Sequence, residues 1–173
     1  HTPSSWSAAT QYKLENSTSC KGVLTGNNGT TYLFSAPNCD ELLDGIIEAN
    51  ENENICWKVD GRNHILKLWD SGGHPIDIEM LEKFKLLMNK VIKEHHALLG
   101  IPPWDNYVTV IQLTEKSRGG LEHLNSQTSM LPRQCLMPNH TDEYLDLVSV
   151  FSHEYLHQWN VKRLRPRNFL DFE

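Results

Sequence analysis

The chain has 173 residues, 39% of them hydrophobic and 22% charged, enough for one domain that buries a core without needing a metal or disulfide merely to fold. A formal net charge of -6 and the lack of a long Lys/Arg cluster exclude a nucleic-acid binder, whose phosphate contacts require a basic face. No stretch approaches the ~20 apolar residues of a membrane span.

The first residues, His1-Thr2-Pro3, carry neither an initiator Met nor a signal-peptide core, so the chain is expected to start within a longer precursor. Residues 1–30 are rich in Ser, Thr, Asn and Gly and read as an irregular segment or the tail of a preceding β domain; 31–173 read as one folded unit. Four cysteines, Cys20, Cys39, Cys56 and Cys135, lack CxxC spacing, which argues against a cysteine zinc site and leaves three disulfide pairings open. With sequons at Asn16, Asn28 and Asn139, these features tilt the compartment towards secreted or periplasmic, with cytoplasmic as the alternative.

Short strands are expected at Thr31 to Phe34, Ile55 to Val59 and His64 to Trp69, separated by the turn signals Asp60-Gly61 and Ser71-Gly72-Gly73. After Asp77, the residues Leu81, Phe84, Leu87 or Met88, Val91 and Leu98 follow helical spacing until Gly100 and Pro102-Pro103 stop it. Asn106 to Thr114 reads as a strand, and a second extended segment runs from Leu121 to Met130. A last helix is expected from an N-cap at Thr141 to about Leu164, before Pro166, with Lys162 to Arg167 as cations at its C-terminus. Tyr144, Val148, Phe151, Tyr155 and Trp159 form its apolar stripe. The fold class is α+β, a twisted, mostly antiparallel sheet with two long helices on one face.

On the opposite side of the second helix lie His153 and His157, and with Glu154 they spell HExxH. Two histidines four residues apart project about one turn apart on one face, so both rings can reach a single Zn²⁺ at ~2.0–2.1 Å. Glu154 sits about 100° around the helix from His153, close enough to serve as general base to the metal's water without being a ligand. Asp146, two turns upstream on that face, would either orient one of the histidines or be a solvated surface acid.

His153 to Pro166, HEYLHQWNVKRLRP, together with Gly119 to His123, GGLEH, resembles the glycyl aminopeptidase family of zinc peptidases, within the thermolysin-like superfamily. The segments Phe34 to Asp44 and Gly61 to Leu68 resemble that family's lead-in, so the likeness covers roughly residues 30 to 173. The resemblance implies a thermolysin-like N-terminal catalytic lobe whose edge strand carries Gly119, Gly120, Glu122 and His123 as substrate-binding residues. Glu122 would receive the peptide's free α-amino group. It also implies a cleavage preference for N-terminal glycine or other small residues, a third zinc ligand that is a Glu on a following helix, and often a PDZ domain in the remainder of the parent protein. Glu173, the last residue, falls in the intervening loop by the same likeness and is not assigned as a ligand. With two ligands present, the isolated chain is expected to be inactive. Two alternatives stand beside the aminopeptidase: a non-catalytic module that binds peptides along its edge strand, and a zinc endopeptidase, from which Glu122 is the discriminating residue.

Overall fold

The computed structural model describes residues 3, 6–14, 34–70, 72 and 76–164. Outside the described residues lie Cys20, the sequons at Asn16 and Asn28, most of the strand expected from Thr31, Ser71 and Gly73 of the expected turn, Pro166, Arg167 and Glu173. In chain order the elements are β1 (Ser7–Thr10), β2 (Lys13–Leu14), β3 (Phe34–Ser35), α1 (Cys39–Asp44), β4 (Ile47–Asn50), β5 (Ile55–Val59), β6 (Arg62–Asp70), α2 (Ile78–Leu99), β7 (Asn106–Thr114), β8 (Gly119–Glu122), β9 (Ser126–Pro132), a 3₁₀ turn at Arg133–Leu136, and α3 (Thr141–Leu156).

The main sheet has the order β5-β6-β7-β9-β8. Its first hairpin closes through Asp60 and Gly61, whose φ angles of 49° and 80° are what a two-residue turn between twisted strands demands. Asp77 then caps α2 by accepting the Met80 N–H at 3.0 Å, and Gly100 ends it at φ 87°. Because this long helix intervenes, β7 returns parallel to β6. Strands β7 and β9 are also parallel, so only the two outer pairings are antiparallel. The sheet is therefore mixed, and the expectation of a mostly antiparallel one is corrected. The segment expected to run extended from Leu121 to Met130 instead folds back at His123–Asn125, where the His123 N–H donates to the Ser126 carbonyl at 2.9 Å. That reversal leaves β8 at the sheet's edge.

Both long helices pack on one face. Phe84, Met88 and Ile92 of α2 and Leu147, Phe151 and Tyr155 of α3 meet Leu66, Ile111 and Leu131 of the sheet in one buried cluster. Each such fully buried side chain contributes about 1.5–3 kcal/mol. On the other face Ile65, Val108 and Val110 are covered by Ala9 of β1, which pairs with β4 although its residues read as irregular from sequence. Helix α3 is shorter than the expected 141–164: His140, not Thr141, is its N-cap, and it ends at Leu156 with His157 as C-cap. Turns continue through Arg163.

His64 lies in the core 1% exposed, stacked on Trp57 with ring centroids 5.5 Å apart and edge-on to Trp104 at 5.4 Å. Neither ring nitrogen finds a hydrogen-bond partner among the described residues. Burial, reinforced by the neighbouring His96, pushes its pKa down to about 3. The folded state thus refuses a proton that the unfolded chain accepts below its ordinary value of ~6.5, so stability is full above that pH and is lost as the pH falls towards 3. His64→Phe keeps the stacked ring and removes the titration. Denaturant melts at successive pH values should show its slope between pH 6 and 4 reduced by roughly 1.4 kcal/mol per pH unit relative to the unsubstituted protein.

Candidate metal centre

The apolar stripe of α3 fixes which way its polar face points. Leu147, Phe151 and Tyr155 are buried against the sheet, and Tyr155 is tied further by its hydroxyl, 2.9 Å from His96 Nε2, while His96 Nδ1 lies 2.8 Å from Asp60 Oδ2. Beyond the helix, buried Trp159 and Gln158 lock the following turns. With the helix unable to rotate, His153 and His157 are held on one side, and their Nε2 atoms lie 3.1 Å apart.

That separation fits a shared ion. Two nitrogens each ~2.0–2.1 Å from a tetrahedral metal lie roughly 3.3–3.4 Å from one another, so only a few tenths of an ångström of ring movement are needed. The tautomer also fits: His157 Nδ1 is 2.7 Å from the Asn160 carbonyl. A carbonyl can only accept, so Nδ1 carries the proton and Nε2 presents its lone pair, the arrangement that metal-ligating imidazoles adopt. Ligand atoms of His153, Glu154 and His157 all lie within 4.8 Å of one another, the one group among the described residues able to hold a metal ion.

Glu154 is 6% exposed and faces the edge strand. A Cβ added at Gly120 would fall 2.1 Å from its Oε1, so the bare backbone of Gly120 leaves the space that this carboxylate occupies; at Gly119 an added Cβ would meet nothing within 4 Å. Burial raises the Glu154 pKa, opposed by the two motif imidazoles and reinforced by Glu122, whose charge is near enough to act on it. His123 acts on the same carboxyl. The structure thus brings His153, Glu154, His157, Gly120, Glu122 and His123 near one another, with Gly119 at the strand's start.

Asp146 does not orient a histidine. It forms a bidentate pair with Arg118, at 2.7 and 2.6 Å, which fastens the residue before β8 to α3. Lys162 and Arg163, read from sequence as helix-terminal cations, are also engaged elsewhere: Lys162 bonds Asp44, and Arg163 reaches the Leu124 carbonyl and Asn125. Arg118 stands directly before the double glycine and could have been found from that position. The Asn160 carbonyl, a backbone group, leaves no trace in sequence.

The family model described as M61 glycyl aminopeptidase matches residues 146–173, the stretch that holds HExxH and the residues after it. Over that stretch the chain is similar to the glycyl aminopeptidases. A solved structure described as an aminopeptidase N family protein from Idiomarina loihiensis superposes with a TM-score of 0.76 at 26% identity, over 97% of this chain and 27% of that one. The present chain therefore spans well under half the length of that relative. No curated protein matches it. Both likenesses are to peptidases, and the aminopeptidase structure shares the α+β architecture of this sheet and its helices.

Proposed function

We propose that this chain carries the ligand and base residues of a zinc-dependent aminopeptidase that acts on peptides. The observation that carries the reading is the paired Nε2 atoms of His153 and His157, 3.1 Å apart beside a buried carboxylate and opposite an edge strand bearing Glu122. Imidazole nitrogens suit Zn²⁺, which when bound lowers the pKa of water towards neutrality and polarises the scissile carbonyl. His153 and His157 would hold it; the third protein ligand that a catalytic site needs would come from outside the described residues.

Glu154, held against Gly120, takes the proton of the attacking water and returns it to the leaving amine. An extended peptide adds to the free side of β8 through backbone hydrogen bonds, which places its scissile bond between the strand and α3. At the end of that strand Glu122 pairs with the peptide's ammonium, because a charge taken out of water needs an anionic partner. Residues 31–173 would form the N-terminal lobe of the catalytic domain, and a small N-terminal residue such as glycine would be the preferred substrate.

An unblocked peptide and its N-acetylated form, offered to the full-length zinc-loaded protein, test this reading. The unblocked one should be cleaved at least about 10²-fold faster in kcat/KM, and Glu122→Ala should remove most of that preference by raising KM for the unblocked peptide alone. Equal cleavage of the two would make the protein an endopeptidase. Tight binding with no cleavage of either would leave a peptide-binding module, which the exposed edge of β8 would equally serve.

A further inference from the structure

Asp44 ends the short helix α1, where a carboxylate faces the negative pole of the helix dipole and is locally disfavoured. Its partners lie far away in sequence. Oδ2 accepts the Leu124 N–H at 2.5 Å, Oδ1 accepts Lys162 Nζ at 2.7 Å, and His123 Nδ1 stands 3.9 Å from Oδ1. Burial alone would raise its pKa; the nearby His123 and the bonds from Lys162 and the Leu124 amide instead hold it down to about 2, so the carboxylate is ionised at any working pH.

From the other side Arg163 Nη1 donates to the Leu124 carbonyl at 3.3 Å and to the Gln158 carbonyl at 2.8 Å, while Nη2 reaches Asn125 Oδ1 at 3.0 Å. Both backbone groups of Leu124 are thus gripped by charged side chains. An edge strand is held by a neighbouring strand on one side only, here β9, whose pairing reaches as far as Glu122 and the His123 N–H. Here the end of β8, carrying Glu122 and His123, is braced by Asp44, Lys162 and Arg163, just as its start is braced by the Arg118–Asp146 pair.

We infer that Asp44 is a positioning residue: by fixing the His123–Leu124 turn onto the segment after the HExxH helix, it sets where Glu122 stands and so governs affinity for the peptide's amino terminus, not the chemical step. This rests on the aminopeptidase reading of Glu122. A displaced recognition carboxylate weakens a charged hydrogen bond, and losing such a bond is worth about tenfold or more in binding.

Asp44→Asn, which keeps an acceptor for the Leu124 amide but loses the charge, and Asp44→Ala are compared in the full-length zinc-loaded protein, with Lys162→Met breaking the same brace from the other side. Asp44→Ala should raise KM for the unblocked peptide about tenfold, with kcat within about threefold and zinc content unchanged. Asp44→Asn and Lys162→Met should shift KM in the same direction by less, and hydrogen exchange at the Leu124 amide should quicken in all three. Should Asp44→Ala fail to fold, the other two variants carry the same test. Unchanged KM, or a loss confined to kcat or zinc content, overturns the inference while leaving the aminopeptidase reading intact, provided the unsubstituted protein still rejects the acetylated peptide. If the unsubstituted protein cleaves both peptides alike, the reading of Glu122 and the inference fall together.

Discussion

Glu154→Gln in the full-length protein is expected to keep its zinc and its fold while kcat falls by about 10²–10⁴ and KM changes little. The glutamine side chain matches the carboxylate in shape, so it can rest against Gly120 in the space Glu154 occupies. It cannot accept a proton. As Glu154 is buried 6% exposed, substitution by an amide also removes a charge whose burial the fold opposes, and a slightly higher melting temperature should accompany the loss of rate. Steady-state kinetics with metal analysis on the same sample check this. A variant that loses zinc would instead make Glu154 a ligand.

His157→Ala should act on the metal itself. The imidazole is one of two in the group, and its Nδ1–H is committed to the Asn160 carbonyl, which turns Nε2 towards the site. Partners that merely orient a ligand cost about 10–100-fold in metal affinity when removed, and loss of a ligand should exceed that. Competition against a chelator of known strength should show affinity lowered by more than about 10²-fold, with peptide hydrolysis reduced to background at stoichiometric zinc. His157 is at the helix's C-cap and its ring is only partly covered, so the fold should survive the substitution. Retention of zinc at the parent affinity would remove His157 from the site.

Much of the centre was legible because its logic is local. His153 and His157 are related by helical spacing, and the stripe of Phe151, Tyr155 and Trp159 fixed which face they would avoid. Caps told the same kind of story: Asp77 and Gly100 bound α2 as read, and Asp60-Gly61 closed its hairpin. What local pattern could not supply was pairing. The parallel register of β7 against β6 depends on a crossover, and the reversal at His123–Asn125 uses no Gly or Pro, so the run through it reads as continuous. Helix α1 escaped because it buries no residue and therefore has no periodic stripe. The bonds of Asp44 to Leu124 and Lys162 span 80 and 118 residues, a distance over which sequence spacing carries no information.

X-ray absorption at the zinc edge of the full-length protein tests the central claim most directly, because it reads the atoms around the ion without requiring turnover. Two imidazoles within a shell of nitrogen and oxygen at ~2.0–2.1 Å, reduced by one imidazole in His157→Ala, is the predicted result. A sulfur shell at ~2.3 Å, or an imidazole count that His157→Ala leaves unchanged, would contradict it.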